Sequence, residues 1–371
     1  MRYPLLKASA VFALLLGSLT CAQATPVTSL TPIANVPGTG ADGTHAISIN
    51  DNDIVAGGWY DTNNIEHGFF GPPDGSNYTS FDDGTLGTEV RSINNKNLIT
   101  GIFLSSTLSC EIQECEFERT SAGKINTITM SGVPLTGISG EIVASGQFVG
   151  DYLKTDSGWT GYNGASHVYS SDVTLPFAVA VSHARGLSES GEVVGFFVSA
   201  DGTKTSGYVI QGSTVTVIND PHAIAVNGTY LEGINKSGRI TGHWEDKKGL
   251  THAFILSPDL TTFIEILVPN STYTQAFAIN SSDRVVINSD TGSFIYCDSR
   301  THPSPQCTPA SGASPPLSEA IRVPAGTFAR YKCRGDCITY RVGASHSKTA
   351  PIDASAAIRA FQTSRPGIRL P

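Results

Sequence analysis

The chain has 371 residues, with 24 Lys or Arg against 32 Asp or Glu, for a formal charge of −8. Charged residues make up 15% of it, against roughly a quarter in an ordinary soluble domain, and the hydrophobic share is 40% with 16 Phe, 12 Tyr and 3 Trp. This excludes charge-driven disorder and the basic face of a nucleic-acid binder, and it leaves enough apolar material for a large core.

Residues 1–24 predict a secretory signal peptide. Arg2 and Lys7 precede the apolar run Ala8 to Leu16, and Ala22-Gln23-Ala24 is a small-x-small cleavage site. A lipoprotein would use Cys21, but Thr20 fits lipid attachment poorly. Beyond residue 20 no stretch approaches the roughly 20 apolar residues of a membrane span, so the mature chain is expected to be secreted or periplasmic. Cleavage removes Cys21 and leaves six cysteines in an oxidising compartment, adjacent in sequence as Cys110 with Cys115, Cys297 with Cys307 and Cys333 with Cys337. Disulfides stapling single loops are expected. Zinc is the weaker alternative, because the spacings lack paired C-x2-C or a nearby His.

From about residue 25 to 298 one pattern recurs. Its clearest copy is Glu232-Gly-Ile-Asn-Lys-Ser-Gly-Arg-Ile-Thr-Gly-His-Trp244, followed by Thr251-His-Ala-Phe-Ile255. The glycine ending the second apolar run falls at Gly57, Gly101, Gly150, Gly195 and Gly242, with Asn288 in the sixth place. A period in the forties, with short β-rich runs such as Ala46 to Ile49, Ile54 to Trp59, His67 to Phe70 and Tyr78 to Phe81, predicts four strands per unit. The sixth copy supplies three strands, Ala276 to Ile279, Arg284 to Ile287 and Ser293 to Tyr296, so Val27 to Ile33 is expected to complete it from the other end of the chain. The expectation is an all-β, six-bladed β-propeller closed by an N-terminal strand.

These residues resemble the HAF-repeat family of secreted proteins, whose tripeptide stands here as His252-Ala253-Phe254, with His67-Gly68-Phe69 a close variant and Ile-Asn turns at 49–50, 93–94, 234–235 and 279–280. The resemblance implies an extracytoplasmic repeat domain and carries no agreed activity. Copies two to four depart from it, with Cys115-Glu-Phe117, His167-Val-Tyr169 and Ser206-Gly-Tyr208 at the signature position.

After Cys297, residues 299–317 read as a Pro/Ser-rich linker, and residues 318–371 as a basic segment with nine Lys or Arg against three acidic residues. That segment is expected to carry a hairpin closed by Cys333 and Cys337. Its tip, Arg334-Gly335-Asp336, looks like an integrin-type attachment tripeptide, although a stapled Asp-containing turn is the simpler account.

Candidate chemistry concentrates where the connections into the innermost strands converge on the channel mouth. Arg91 and Glu89, Arg185 and His183, and Glu232 and Tyr230 stand two and four residues before the aligned Ile or Leu, with His45 in the first copy. Such a cluster can hold an anionic or sugar-like ligand, or serve acid and base roles. An inert channel filled by ion pairs and water is the competing account. His67, His167 and His252 share a position too far out to meet one another, so each is expected to anchor its own blade, and the Ile-Asn turns are expected to be structural. No cofactor is expected. Calcium is a minor alternative at Asp61, Asp156, Asp201, Asp246 and Asp290, or at Asp51-Asn-Asp53, where downstream ligands are missing.

No G-x-S-x-G, H-E-x-x-H or phosphate loop occurs, so a catalytic role is left open. The leading expectation is a binding or interaction module for an extracellular ligand such as a glycan or a host-cell surface protein, not a nucleic acid. The alternatives are a propeller hydrolase or lyase acting on a glycan, and an adhesin using the Cys333–Cys337 hairpin.

Overall fold

The computed structural model describes residues 28–82, 87–104, 114–154, 158–224 and 227–298. The segments expected to be a signal peptide, a linker and a basic tail with Arg334, Gly335 and Asp336, together with Cys110, Cys307, Cys333, Cys337 and Asp156, lie outside the described residues. Every described regular element is a strand, and among the described residues no helix is long and apolar enough to cross a membrane.

The strands form six sheets. Strand β1 (Thr28–Pro32) comes first, followed by sheet 1 with β2 (Thr44–Ile49), β3 (Val55–Tyr60), β4 (Glu66–Gly71) and β5 (Thr79–Phe81). Sheet 2 holds β6 (Thr88–Ile93), β7 (Ile99–Leu104), β8 (Glu114–Arg119) and β9 (Ile125–Thr127). Sheet 3 holds β10 (Thr129–Met130), β11 (Val133–Pro134), β12 (Gly137–Ile142), β13 (Gln147–Lys154), β14 (Gly158–Ala165) and β15 (Val168–Asp172). Sheet 4 is β16 (Val179–Leu187), β17 (Val193–Ser199), β18 (Thr205–Gln211) and β19 (Thr214–Ile218). Sheet 5 is β20 (Thr229–Ile234), β21 (Ile240–Glu245), β22 (Thr251–Leu256) and β23 (Phe263–Ile266), and β24 (Thr274–Ile279), β25 (Val285–Ser289) and β26 (Gly292–Asp298) belong to sheet 6.

Each sheet's first strand packs against its neighbours' around a closed ring, β24 of the last meeting β2 of the first. The ring is closed by backbone hydrogen bonds between the two ends of the described chain: β1 pairs antiparallel with β26, Thr28 opposite Asp298 through Pro32 opposite Phe294. The N-terminal strand thereby covers the edge that β26 would otherwise expose, as the missing fourth strand requires. Six apolar clusters fill the six seams between sheets. The molecule is a β-propeller whose core is a set of inter-sheet layers around a channel.

Five of the sheets are four-stranded, as the repeat predicts. The third departs from the expected six like blades. It has six strands in the order β11-β10-β15-β14-β13-β12, with β10 joining β15 in parallel at Thr129 and Val168. The insertion Thr129 to Pro134 folds back on the sheet's outer edge instead of forming a plain connection. A second correction concerns the sixth copy: Ile287, not Asn288, occupies the glycine position, since it pairs Ala276 as Gly57 pairs Ala46.

Three local rules build the repeat. First, each link between first and second strands is the same four-residue turn, starting at Asn50, Asn94, Val143, Ser188, Asn235 and Asn280. In each, the first residue's N–H reaches the carbonyl four residues on and the fourth residue's N–H returns to the first's carbonyl. The fourth residue is left-handed in all six: Asp53, Asn97, Gly146, Gly191, Gly238 and Asp283, hence only Asn, Asp or Gly there. Where the first residue is Asn, its Oδ1 caps its own turn while Nδ2 donates to the next turn: Asn50 to the Asn94 carbonyl at 3.0 Å, Asn94 to Val143 at 2.8 Å, Asn235 to Asn280 at 3.0 Å, and Asn280 across the closure to Asn50 at 3.1 Å. The Ile-Asn motif is therefore an inter-sheet clasp.

Second, every first strand carries a bulge that turns one extra residue toward the channel, at Ile47, Arg91, Gly140, Arg185, Glu232 and Phe277. Third, the repeated glycine of the second strand lies beside that bulge and under a buried aromatic of the third strand. A Cβ on Gly242 would collide with the Tyr230 carbonyl and stand 2.8 Å from the Phe254 ring. The aromatics Phe69, Phe117, Tyr162, Tyr208 and Phe254 are fully buried, each worth on the order of 2–3 kcal/mol of hydrophobic stabilisation.

The signature histidines anchor their own sheets in two cases. His67 stacks on Trp59 with ring centroids 4.5 Å apart and bonds Asp82 at 2.8 Å. His252 stacks on Trp244 at 4.1 Å and bonds Glu265 at 2.8 Å. His167 is different: the third strand of its sheet is β14, and His167 sits in the following turn with left-handed φ of 56°. His167-Val-Tyr169 therefore stands one strand beyond the signature position, which Thr160-Gly-Tyr162 fills with the buried aromatic and without a histidine.

Candidate functional site

The bulges place their side chains around a small cavity on the channel axis, lined by Ile47, Arg91, Gly140, Arg185, Glu232 and Phe277 together with the residues that follow several of them, Ser48, Ser92, Glu141, Gly233 and Ala278. The expected candidates Arg91, Arg185 and Glu232 therefore meet. Three of the others stand at the mouth beside them. Glu89 pairs Arg91 at 3.1 Å. His183 Nδ1 lies 2.9 Å from Asp151, whose other oxygen is 2.9 Å from Arg185. Tyr230 stacks on His243 with centroids 4.6 Å apart and an interplanar angle of 8°, and His243 is 3.7 Å from Glu232. His45 stays apart from this cluster, its Nε2 2.6 Å from the Asp42 carbonyl and its ring edge-on to Tyr60.

The mouth is continuous on one side. Trp159, His183, Phe196, Tyr230 and His243 form an unbroken series of ring contacts from sheet 3 to sheet 5, and Gln275 of sheet 6 extends it at 3.1 Å from His243. Arg185 lies over the Phe196 ring at 5.5 Å, so its charge has both an ion pair and an aromatic face.

Four groups central to this arrangement, three of them buried, escaped the sequence reading. Asp151 directly follows a repeat glycine, the one visible signal for it. His243, from the glycine-following position of sheet 5, was in plain view in the clearest copy. Glu116 replaces the Gly or Ala of the signature tripeptide. It is fully buried, Tyr162 donates to it at 2.5 Å, and burial, aided by the charge of Asp151, pushes its carboxyl well above the ordinary range.

Glu141 is the fourth, and its place follows from the ring. Immediately after the bulge, Ser48 Oγ accepts the Ile93 N–H and Ser92 Oγ the Ile142 N–H, each at 3.1 Å. Sheets 4 and 5 have Gly186 and Gly233 there, which offer no side-chain acceptor. Glu141 is longer, accepting Leu187 N–H at 3.0 Å and also that of Ile234. A single carboxyl thus ties the first strands of the next two sheets, and burial raises its pKa to about 8, with the two N–H bonds opposing and the Glu189 and Asp51 charges adding.

The aspartates offered as calcium ligands serve turns. Asp61 Oδ1 accepts the N–H groups of Asn63 and Ile65, and Asp246 Oδ1 those of Lys248 and Leu250. Asp201 accepts from Ser199 and Thr203 hydroxyls, which hold its carboxyl down at about 2. Asp51 accepts the Ser281 N–H and Asp53 pairs with Arg284, both across the closing seam, and Asp290 accepts from Ser271 and Thr272. Cys115 and Cys297 are buried; their expected partners lie outside the described residues.

The fold and the channel together define the class of protein: a β-propeller with charged and aromatic side chains gathered at one channel mouth. No protein-family model matches the chain, and no curated protein matches it. Among solved structures it is similar to AofleA from Arthrobotrys oligospora, at 10% identity and a TM-score of 0.45, covering 74% of this chain and 86% of that one. A virginiamycin B lyase from Staphylococcus aureus is similar at 11% identity and 0.43, covering 72% and 98%. A gluconolactonase from Xanthomonas campestris follows at 10% identity and 0.42, covering 73% and 97%.

Proposed function

We propose that this chain is an exported binding module of HAF-repeat type whose ligand presents a polar, preferably anionic, group to the channel mouth. The observation that carries this reading is the convergence of Arg91, Arg185 and Glu232 from three sheets on one cavity. The cavity measures about 40 Å³, room for a few waters at the roughly 10–15 Å³ each requires. The ligand is therefore seated on the mouth, with only a carboxylate-sized group entering, and Tyr230 and His183 stand around it, held by their stacks on the buried His243 and Phe196. Export follows from the leader sequence, and the disulfides of Cys115 and Cys297 with Cys110 and Cys307 belong to the same reading.

One arrangement favours an enzyme acting on an extracellular glycan as the second reading. Asp151 holds His183 through Nδ1, which leaves Nε2 for proton exchange in the manner of a carboxylate-oriented general base. Screening the mature protein against glycans for both binding and product release separates the two. Binding without turnover, weakened by Arg185→Ala, supports the module. Turnover that His183→Ala or Glu232→Ala abolishes replaces it with the enzyme. The adhesin alternative ends if Asp336→Ala leaves cell attachment unchanged.

A further inference from the structure

Among the described residues each sheet presents its outermost strand as an open edge. Most of these edges are blunted against further pairing: β5 and β9 have three residues each, β11 is Val133–Pro134, β23 carries Glu265, and β1 ends in Pro32. Strand β19 is not. It runs Thr-Val-Thr-Val-Ile over Thr214–Ile218, β-branched throughout, and no charged residue occurs from Thr205 to Asn219. Its Val217 is 41% exposed. The turn before it decides which backbone groups are open. Gln211 opposes Thr214 across Gly212 and Ser213, so the hydrogen-bonded pairs of the hairpin are Gln211 with Thr214, Val209 with Thr216 and Gly207 with Ile218. The N–H and C=O groups of Val215 and Val217 therefore point away from β18, at the open edge.

We propose that β19 pairs antiparallel with β19 of a second copy of this chain, about a two-fold axis at Thr216. In that register Val215 faces Val217 of the second copy, the two exchanging both backbone hydrogen bonds, and Thr216 faces its own counterpart. Two observations favour a second copy over another strand. The first is charge. A two-fold self-pair sets any charged residue of a short strand close to its duplicate, which is destabilising, and in a chain of net charge −8 the edge of β19 has no charge at all. The second is apolar continuity. Val215 packs on the cluster at the seam of sheets 3 and 4, beside Leu175 and Val179. Val217 lies on the same face of its strand and pairs with Tyr208 of that cluster. The second copy's Val215 and Val217 extend this face and cover Val217, the strand's one exposed valine. The contact is small beside the roughly 1,200 Å² at which standard interfaces begin, so the dimer dissociates on dilution.

Sedimentation velocity over a concentration series is expected to show a monomer–dimer equilibrium that Val217→Lys weakens about tenfold or more. Thr216→Cys is expected to give a disulfide-linked dimer on mild oxidation, because non-hydrogen-bonded partners stand about 4.5 Å apart at Cα, within the span of a disulfide. Thr214→Cys is expected to give none, since its counterpart lies at the far end of the paired strands. The two cysteine variants keep the test open should Val217→Lys disturb the fold. The proposal is overturned if the protein is monomeric at every concentration, if a dimer is indifferent to a folded Val217→Lys, or if Thr214→Cys cross-links as readily as Thr216→Cys, which signals random collision.

Discussion

Sheet 5 and sheet 3 are built from the same repeat and use it differently. Sheet 5 keeps every rule: the Asn235 turn, the glycine at 242, the His252–Trp244 anchor and the buried Phe254. Sheet 3 starts its turn at Val143, has no anchoring histidine on its third strand, adds two strands at its edge, and introduces Glu141 and Asp151 at the channel. Its neighbours share the change, with Glu116 from sheet 2 and His183 and Arg185 from sheet 4 completing one buried polar cluster. Regularity in this ring supplies stability, and the irregular sector holds most of the ionisable groups available for chemistry.

Glu141 gives the largest expected effect that breaks the comparison. Ser48 and Ser92 do the same hydrogen-bonding work without a titratable group, whereas Glu141 keeps a proton in the folded state up to about pH 8. Between the ordinary carboxyl value of 4.5 and about 8, the folded protein binds a proton that the unfolded chain has released. Stability from this group is fully present below pH 4.5 and is lost as pH rises through 8, at about 1.4 kcal/mol per unit, for a total of order 5 kcal/mol. Denaturant unfolding at pH 5, 7 and 8.5 is expected to show a decline that Glu141→Gln largely flattens. Equal slopes in the two proteins would show that Glu141 titrates normally.

Next in size is the repeat glycine. In sheet 5 an added Cβ at Gly242 runs into backbone, the Tyr230 carbonyl, which cannot move without opening the bulge. In sheet 3 the Cβ at Gly150 meets the Ile138 carbonyl at 3.0 Å and the Tyr162 ring edge at 2.7 Å, so much of the clash falls on a side chain. Gly242→Ala is expected to cost about 3 kcal/mol or more and Gly150→Ala roughly half of that. Thermal denaturation of the two variants measures the difference, and equal losses would mean that the third sheet is as tightly packed as the fifth.

The period of the repeat, the closing strand and the structural part played by the Ile-Asn turns were legible because they rest on local chemistry: left-handed turn positions and alternation of small and large residues. The candidates at the channel were legible for the same reason, since a fixed offset from each turn marks the bulge. What the sequence hid was the third copy. There Val143 stands in place of Asn, Thr160-Gly-Tyr162 in place of the signature, and an insertion precedes the first strand, so the register slipped and Glu141 went unnoticed although it aligns with Ser48 and Ser92. Asp151, Glu116 and His243 were hidden differently. Asp151 and Glu116 find their partners His183, Arg185 and Tyr162 in other sheets 30 or more positions away, and His243 joins Tyr230 and Glu232 of its own sheet to Gln275 of the next, contacts that nothing in one chain segment reveals.

The clasp between turns gives the smallest and sharpest test. Asn235→Ala removes the donor to the Asn280 carbonyl and to Asp283 Oδ1, together with the acceptor for Ser237 and Arg239 N–H, and is expected to cost about 1–2 kcal/mol. Ser188→Asn should do the reverse at the seam between sheets 4 and 5, where Ser188 Oγ already accepts Glu192 N–H at 3.0 Å and only the donor to the next turn is lacking, for a gain of about 0.5–1 kcal/mol. Val143→Asn is expected to be destabilising by about 0.5–1 kcal/mol. The new clasp would add a similar amount, but Val143 is 6% exposed within the apolar seam, and losing that burial costs about 1.5 kcal/mol or slightly more. If Val143→Asn instead matches the gain of Ser188→Asn in urea unfolding, the valine is not contributing to the seam, and the departure of sheet 3 from the turn pattern has no basis in packing.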